Sequence, residues 1–476
     1  MPRAGWVKPE GDQRLSDHVA LGVLTATFPP GLVDQVVAAS GRGERRARLL
    51  PARLVVYYVL AMTLFSSASY EEVMRSLTEA LAWASGWRAR WTVPSKSAIF
   101  QARARLGVAP LAQLFARTCR PLATPSTPGT PGTPGAFYRD WRVVSIDGTT
   151  LDVADTAAND AAFGRPGSGR GEGSAFPQLR LVAVAECGTH AVTAVAMGPY
   201  ATGEVSLAKE LVEAGAVGPG MLVLADRGFT AFPLWDAAAA TGADLVWRAK
   251  GNAVLPVLER LADGSFRSEI VATPDKRTRA NVRPVRVIEY AVADPGRPQA
   301  QGLTYRLLTT ITDPAAAPAA DLAGLYAERW EFETALDELK THQRGPRVVL
   351  RSKTPDGVRQ EAYGYLCVHY AIRALMHTAA DAVGVDPDRV SFTASLNAAR
   401  RSVRTQTAAT PTALRRALHR AVTEICDQLL PRRRLRAAAR VVKRKMSGYR
   451  VKRAEHRTWP HPTLALTEAI DVLVPP

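Results

Sequence analysis

The stretch YAERWEFETALDELK, residues 326–340, reads as a helix with two faces. At roughly 100° per residue, with Tyr326 at zero, Arg329 falls at about 300°, Glu333 at about 340° and Lys340 at about 320°. Leu325, Phe332, Leu336 and Leu339 fill the adjoining arc, from about 220° to about 280°, and would dock the helix on the protein. Asp337, at about 20°, borders the polar arc, so periodicity alone does not single out Glu333. A carboxylate beside a phenol and two cations suits a phosphodiester, because the acid can hold a metal while the cations hold non-reacting phosphates. The same spacing also allows a plain surface ion pair, since Arg329 and Glu333 are four apart.

Upstream, two more acids stand where chemistry is often placed. Asp147 in SIDGT and Asp226 in LADRGF each follow an apolar run and precede a nearby glycine. A buried strand fixes such a side chain and the turn behind it leaves the carboxylate accessible. Asp152, Asp155 and Asp160 compete with Asp147 on proximity, and an aspartate that caps a turn would look the same. Strands are expected at 141–146, 179–186, 191–197, 221–225 and 243–248, with a helix at 203–214, so an α/β domain with a mixed sheet is expected over 137–350. A β-rich insertion at about 255–311 interrupts it, carrying Lys276, Arg277, Arg279 and Arg283 either for DNA or as a solvated hairpin surface.

The flanks differ in kind. Residues 15–120 have helical periodicity, and Ser95 can cap a helix over 96–106 that offers Lys96, Arg103 and Arg105 to phosphates or to water. PLATPSTPGTPGTPGA, residues 121–136, reads as an extended linker. Residues 360–476 read as a helical, basic C-terminal region, and 432–457 hold twelve Lys or Arg, among them Arg432, Arg433, Arg434, Lys443, Arg444 and Lys445, against Glu455 alone. Like charges repel along a helix, whereas phosphates make that arrangement favourable. The whole chain, 476 residues with 61 Lys and Arg against 44 Asp and Glu, carries a formal +17, which points to a polyanion partner. Its longest strongly apolar run, Leu54–Phe65, is too short to cross a bilayer as a helix and reads as a buried one; no membrane association and a cytoplasmic location are expected. Cys119, Cys187, Cys367 and Cys426 lie too far apart for a close-spaced zinc motif and read as ordinary intracellular thiols.

Taken with IDGT and ADRGF, the Tyr-x2-Arg-x3-Glu-x6-Lys spacing of Tyr326, Arg329, Glu333 and Lys340 resembles the signature of the IS4-like bacterial insertion-sequence transposases, and VPSKSAIFQARARLG resembles their N-terminal domain. The resemblance spans about residues 15–350 and implies an RNase H-like DDE catalytic domain. It also implies that Asp147, Asp226 and Glu333 are the catalytic metal ligands, for two Mg²⁺ ions or Mn²⁺ in their place, with Tyr326, Arg329 and Lys340 on DNA phosphates. The implied activity is cut-and-paste transposition on double-stranded DNA, the terminal inverted repeats and the target, by a homodimer on paired ends. A family base-stacking role would fall here to Phe266, Tyr290 or Tyr305, because no tryptophan lies between Lys250 and Tyr326. A metal-dependent nuclease without strand transfer, or a DNA-binding protein whose catalysis has decayed, are the rival readings.

Overall fold

In the computed structural model the described residues are 19–44, 48–84, 93–126, 135–167, 174–272, 275, 277–294, 296, 302–345, 349–404, 410–431, 451–454, 458 and 463–474. The tail cations Arg432, Arg433, Arg434, Lys443, Arg444 and Lys445, the linker residues 127–134 and Lys276 lie outside them. The strands are β1 Phe137–Tyr138, β2 Trp141–Asp152, β3 Gln178–Glu186, β4 Val192–Pro199, β5 Met221–Ala225, β6 Asp244–Arg248, β7 Glu259–Arg260, β8 Phe266–Val271, β9 Val282–Val292, β10 Tyr305–Thr309 and β11 Ile470–Val472. The chain divides into two units that interleave in sequence, one of 1–133, 148–203 and 332–431 and the other of 134–147, 204–331 and 432–476.

The first unit is mainly helical. Its centre is the helix Ala52–Leu64, in which every residue from Leu54 to Leu64 is buried, packed against the long helix Pro355–Val383. The apolar run expected to be a core helix is one, and no helix among the described residues is long and apolar enough to cross a membrane. The two helices meet at Gly364, where a Cβ would come within 3.0 Å of Thr63 Cγ2 and 3.3 Å of the Val59 carbonyl oxygen. Ser95 caps the helix Lys96–Leu106 as expected, accepting from the Ala98 amide at 3.3 Å. The antiparallel β3–β4 hairpin completes this unit, and the buried Glu186 at the end of β3 accepts from the Leu122 and Ala123 amides at 2.9 Å, which ties down the start of the linker.

The second unit is built on a mixed sheet. β2, β5 and β6 run parallel, and the helix Phe232–Ala240 makes the crossover from β5 to β6. β10 then pairs antiparallel with β6, and β9, β8 and β7 extend the sheet as an antiparallel meander, which is the expected β-rich insertion. This mixed α/β arrangement is consistent with the RNase H-like fold of a DDE enzyme. Arg286 of β9 is fully buried and pairs with Asp263; it also donates to Ser265 Oγ at 2.8 Å and to the Ala317 carbonyl at 2.7 Å, fastening the insertion to the loop that leads into the helix Ala319–Leu325. The C-terminal end is not helical throughout: Ile470–Val472 forms β11 and pairs antiparallel with β9. A three-residue strand borrows its regularity from a partner far away in sequence, so periodicity could not reveal it.

Gly364→Leu should overpack the crossing of Ala52–Leu64 with Pro355–Val383 and cost about 1–3 kcal/mol in urea unfolding, the usual price of forcing extra side-chain volume into a packed core.

Candidate active site

Two adjacent parallel strands bring Asp147 and Asp226 together. Ile146 of β2 is in register with Ala225 of β5, and each aspartate is the next residue along its strand. Neighbouring strands lie about 5 Å apart, so the two carboxylates stand side by side at the carboxyl ends of buried strands. The Asp226 Oδ1 accepts from the Gly228 amide at 2.6 Å, and a Cβ on Gly228 would sit 2.9 Å from that same oxygen. The glycine of ADRGF is therefore a spatial requirement of the aspartate.

The stretch 326–343 is not one uniform α-helix. It runs as a 3₁₀ turn at Tyr326–Arg329, an α-helix at Trp330–Asp337 and a π-turn at Glu338–Gln343. Pitch changes of this kind rotate side chains off the positions a constant 100° assigns, and π-turns are rare enough to mark functional segments. Leu325, Phe332 and Leu339 are buried as the apolar arc required, but Tyr326 and Arg329 are buried too, at 5% and 7% exposure. The polar shoulder is thus buried at its start, at Tyr326 and Arg329, and half-buried at Glu333 and Lys340.

Within the second unit, the Tyr326 hydroxyl donates to the carbonyl of Ala225 at 3.4 Å, one residue before Asp226. Burial pushes this phenol up to about 12, so it stays protonated and can remain a donor. Arg329 donates from Nη1 to Asp147 Oδ2 at 3.4 Å, with its guanidinium carbon 4.8 Å from the Trp330 ring and 5.9 Å from the Tyr326 ring. Within the first unit, the Lys340 ammonium bonds Thr149 Oγ1, two residues beyond Asp147. Each of these three residues therefore reaches one of the two aspartate motifs. Glu333 belongs to the first unit, on the α-helical part of the stretch, and is half-buried. Thr149 and the packing role of Gly228 were not singled out by sequence, although both lie inside the quoted motifs.

The other expected DNA contacts fare unevenly. Lys96 and Arg105 are exposed, Lys96 lying 3.9 Å from Glu71. Arg103 is a correction: it is only 5% exposed, and its guanidinium donates to Gln360 Oε1 at 3.2 Å, Ser352 Oγ at 2.9 Å and the Gly357 carbonyl at 3.0 Å. The inward face of Lys96–Leu106 uses a charged residue where sequence expects an outward one, because Ser352 and the first turns of the helix Pro355–Val383 supply enough polar partners to bury it. In the insertion, Arg279 pairs with Glu269, and Arg283 with Asp236 at 2.6 Å. Phe266 and Tyr290 are buried in the sheet, which removes them as base-stacking candidates, and Tyr305 is half-buried against Tyr290 with ring centres 5.1 Å apart.

Two family descriptions match the chain in order, "Insertion element 4 transposase N-terminal" over residues 18–116 and "Transposase DDE domain" over residues 139–371. The chain belongs to the IS4-like DDE transposases. It is 28% identical over 443 residues, 91% of its own length and 92% of the relative's, to the transposase InsG for insertion sequence element IS4 of Escherichia coli strain K12. InsZ of the same strain is 23% identical over 205 residues, which cover 41% of this chain and 62% of InsZ.

Because Arg103 serves the fold, Arg103→Met should lower stability by about 3 kcal/mol, the loss expected for several charge-assisted bonds. The slope of log affinity for DNA against log salt should stay unchanged, since no phosphate contact is lost. A shallower slope at unchanged stability would place Arg103 on DNA after all.

Proposed function

We propose that this protein cleaves the ends of a transposon and joins them to target DNA by phosphoryl transfer, with Asp147, Asp226 and Glu333 as the catalytic carboxylates. The observation that carries the reading is that Tyr326, Arg329 and Lys340, the three companions of Glu333 in the family signature, bond to Ala225, Asp147 and Thr149 in the two aspartate motifs. An ion-pair surface with no chemistry would not need all three to be directed there.

The donor set fits hard divalent cations. Asp147 and Asp226 offer carboxylate oxygens from neighbouring rigid strands, and Glu333 supplies a third by the family signature. When bound, two Mg²⁺ ions, or Mn²⁺ in their place, supply the charge that activates a water and then a 3′-hydroxyl and that stabilises the leaving oxygen. The protein's part is positioning. The Gly228 amide orients Asp226, Tyr326 fixes the backbone on which Asp226 stands, and Arg329 holds Asp147, placing a fixed positive charge beside the position of a non-reacting phosphate. Tyr326 thus acts as a positioning residue, in place of the direct DNA contact expected from sequence. Lys340 presents the second phosphate-binding cation. DNA-end recognition falls to the helical N-terminal domain, 15–120, and to the basic stretch 432–457, with Lys96 and Arg105 on the exposed side of their helix. Two copies of the chain would hold the paired ends.

Incubated with its flanking inverted repeats, target duplex and Mg²⁺, the full-length protein should release transposon ends and join them to the target. Cleavage without joining would instead identify a nuclease, and specific binding without cleavage a decayed element. Asp147→Asn, Asp226→Asn and Glu333→Gln should each reduce cleavage to background while retaining end binding in a mobility-shift assay; full activity in any one of them would remove that residue from the site. Gly228→Ala, which pushes on the Asp226 carboxylate, should demand more Mg²⁺ for the same cleavage rate, with end binding unchanged. An unaltered Mg²⁺ dependence would mean that the carboxylate tolerates the displacement.

A further inference from the structure

The π-turn Glu338–Gln343 has both its ends fastened to the same long helix, Pro355–Val383. At the first residue, the buried Glu338 carboxylate lies 3.1 Å from Arg373 Nη1, 3.1 Å from His369 Nε2 and 3.4 Å from His190 Nδ1. Arg373, itself buried, donates from Nε to the Thr189 carbonyl at 2.6 Å and lies 3.8 Å from Asp388. At the last residue, Gln343 donates to the Tyr365 carbonyl at 3.2 Å, and its own carbonyl accepts from Ser66 Oγ at 2.9 Å. Lys340 lies between these anchors and reaches Thr149.

Glu338 and Lys340 are two residues apart, about half a turn whether the pitch is α or π, so they face roughly opposite ways. Fixing one fixes the other. A buried ion pair contributes little net stability compared with an apolar pair of the same volume, but it demands one rotation and one register of the element that carries it. A π-turn, rare in helices, is an element that such a demand can hold in place. Burial alone would raise the Glu338 carboxyl; the Arg373 charge and then the two histidines outweigh it and hold the group well below the usual carboxylate range, so it remains an anion throughout the neutral range.

We propose that Glu338, clamped by Arg373, is the positioning residue for Lys340, holding the π-turn in the rotation that directs the lysine to Thr149 and the DNA phosphate beside it. This inference rests on the reading of Lys340 as a phosphate ligand. The test compares full-length wild type, Glu338→Gln, Lys340→Ala and the double variant in binding an inverted-repeat duplex across a salt series. Lys340→Ala should weaken binding and flatten the log–log salt slope by about one. Glu338→Gln should weaken binding by about ten-fold with the same flattening, and the double variant should be no weaker than Lys340→Ala, because coupled residues are non-additive.

If Glu338→Gln costs the same factor in the Lys340→Ala background, or leaves the slope at its wild-type value, its role is packing alone and the proposal is overturned while the functional reading stands. If Lys340→Ala binds like wild type, the phosphate reading of Lys340 and the proposal fall together. Should Glu338→Gln not fold, the paired replacement Glu338→Met with Arg373→Met removes the clamp without leaving a lone buried charge. That protein should fold and show the same flattened slope, and a wild-type slope in it would overturn the proposal.

Discussion

The in-register pairing of β2 with β5 is the constraint on which the catalytic reading depends. It places two aspartates on adjacent strand ends, where their charges repel and where the low polarity beneath them makes the repulsion stronger than in water. Such a pair persists only if positive charge or N–H donors are supplied to it. Gly228 donates its amide to Asp226, and Arg329 brings a guanidinium to Asp147. Both compensations come from residues held rigidly, one by a tight turn and one by burial against two aromatic rings. A divalent cation would complete the neutralisation, which is why a strand pair of this design suits metal-assisted phosphoryl transfer.

The second consequence concerns where the arginines go. A composition of +17 invites the view that basic residues coat a DNA-facing surface. In the folded units many of the cations are structural. Arg103, Arg286, Arg329 and Arg373 are all buried, each bonded to side-chain or carbonyl oxygens. Arginine suits that use because it stays charged and its planar fork can satisfy several acceptors at once.

These placements explain which parts were legible from sequence. The core helix Ala52–Leu64, the Ser95 cap, β5 and the β-rich insertion follow from local rules of periodicity, capping and strand propensity, and the structure reproduces them. The spacing of Tyr326, Arg329, Glu333 and Lys340 points to one polar arc, but a constant pitch does not describe the segment, because its ends are 3₁₀ and π. Nothing in the local sequence distinguishes Glu338 from a solvated acid, since its partners lie 31, 35 and 148 residues away. Arg103 failed for the same reason: its acceptors at Ser352, Gly357 and Gln360 are some 250 residues distant. Long-range polar partners leave no periodic trace, whereas apolar faces do.

A buried carboxylate and a buried guanidinium can each direct a neighbouring cation outward without touching the ligand. At Arg329 the guanidinium itself meets Asp147, the carboxylate proposed as catalytic, so in that reading positioning and function coincide in one side chain. At Glu338 they are separated: the charge that fixes the turn points into the helix Pro355–Val383, and the charge assigned to DNA is Lys340, two residues on. Separation has a physical advantage. A lysine that had to pair with a buried acid would be desolvated and poor at phosphate binding, whereas Lys340, steered from the opposite side of its own turn, meets the neutral hydroxyl of Thr149 and keeps its charge uncompensated by that partner.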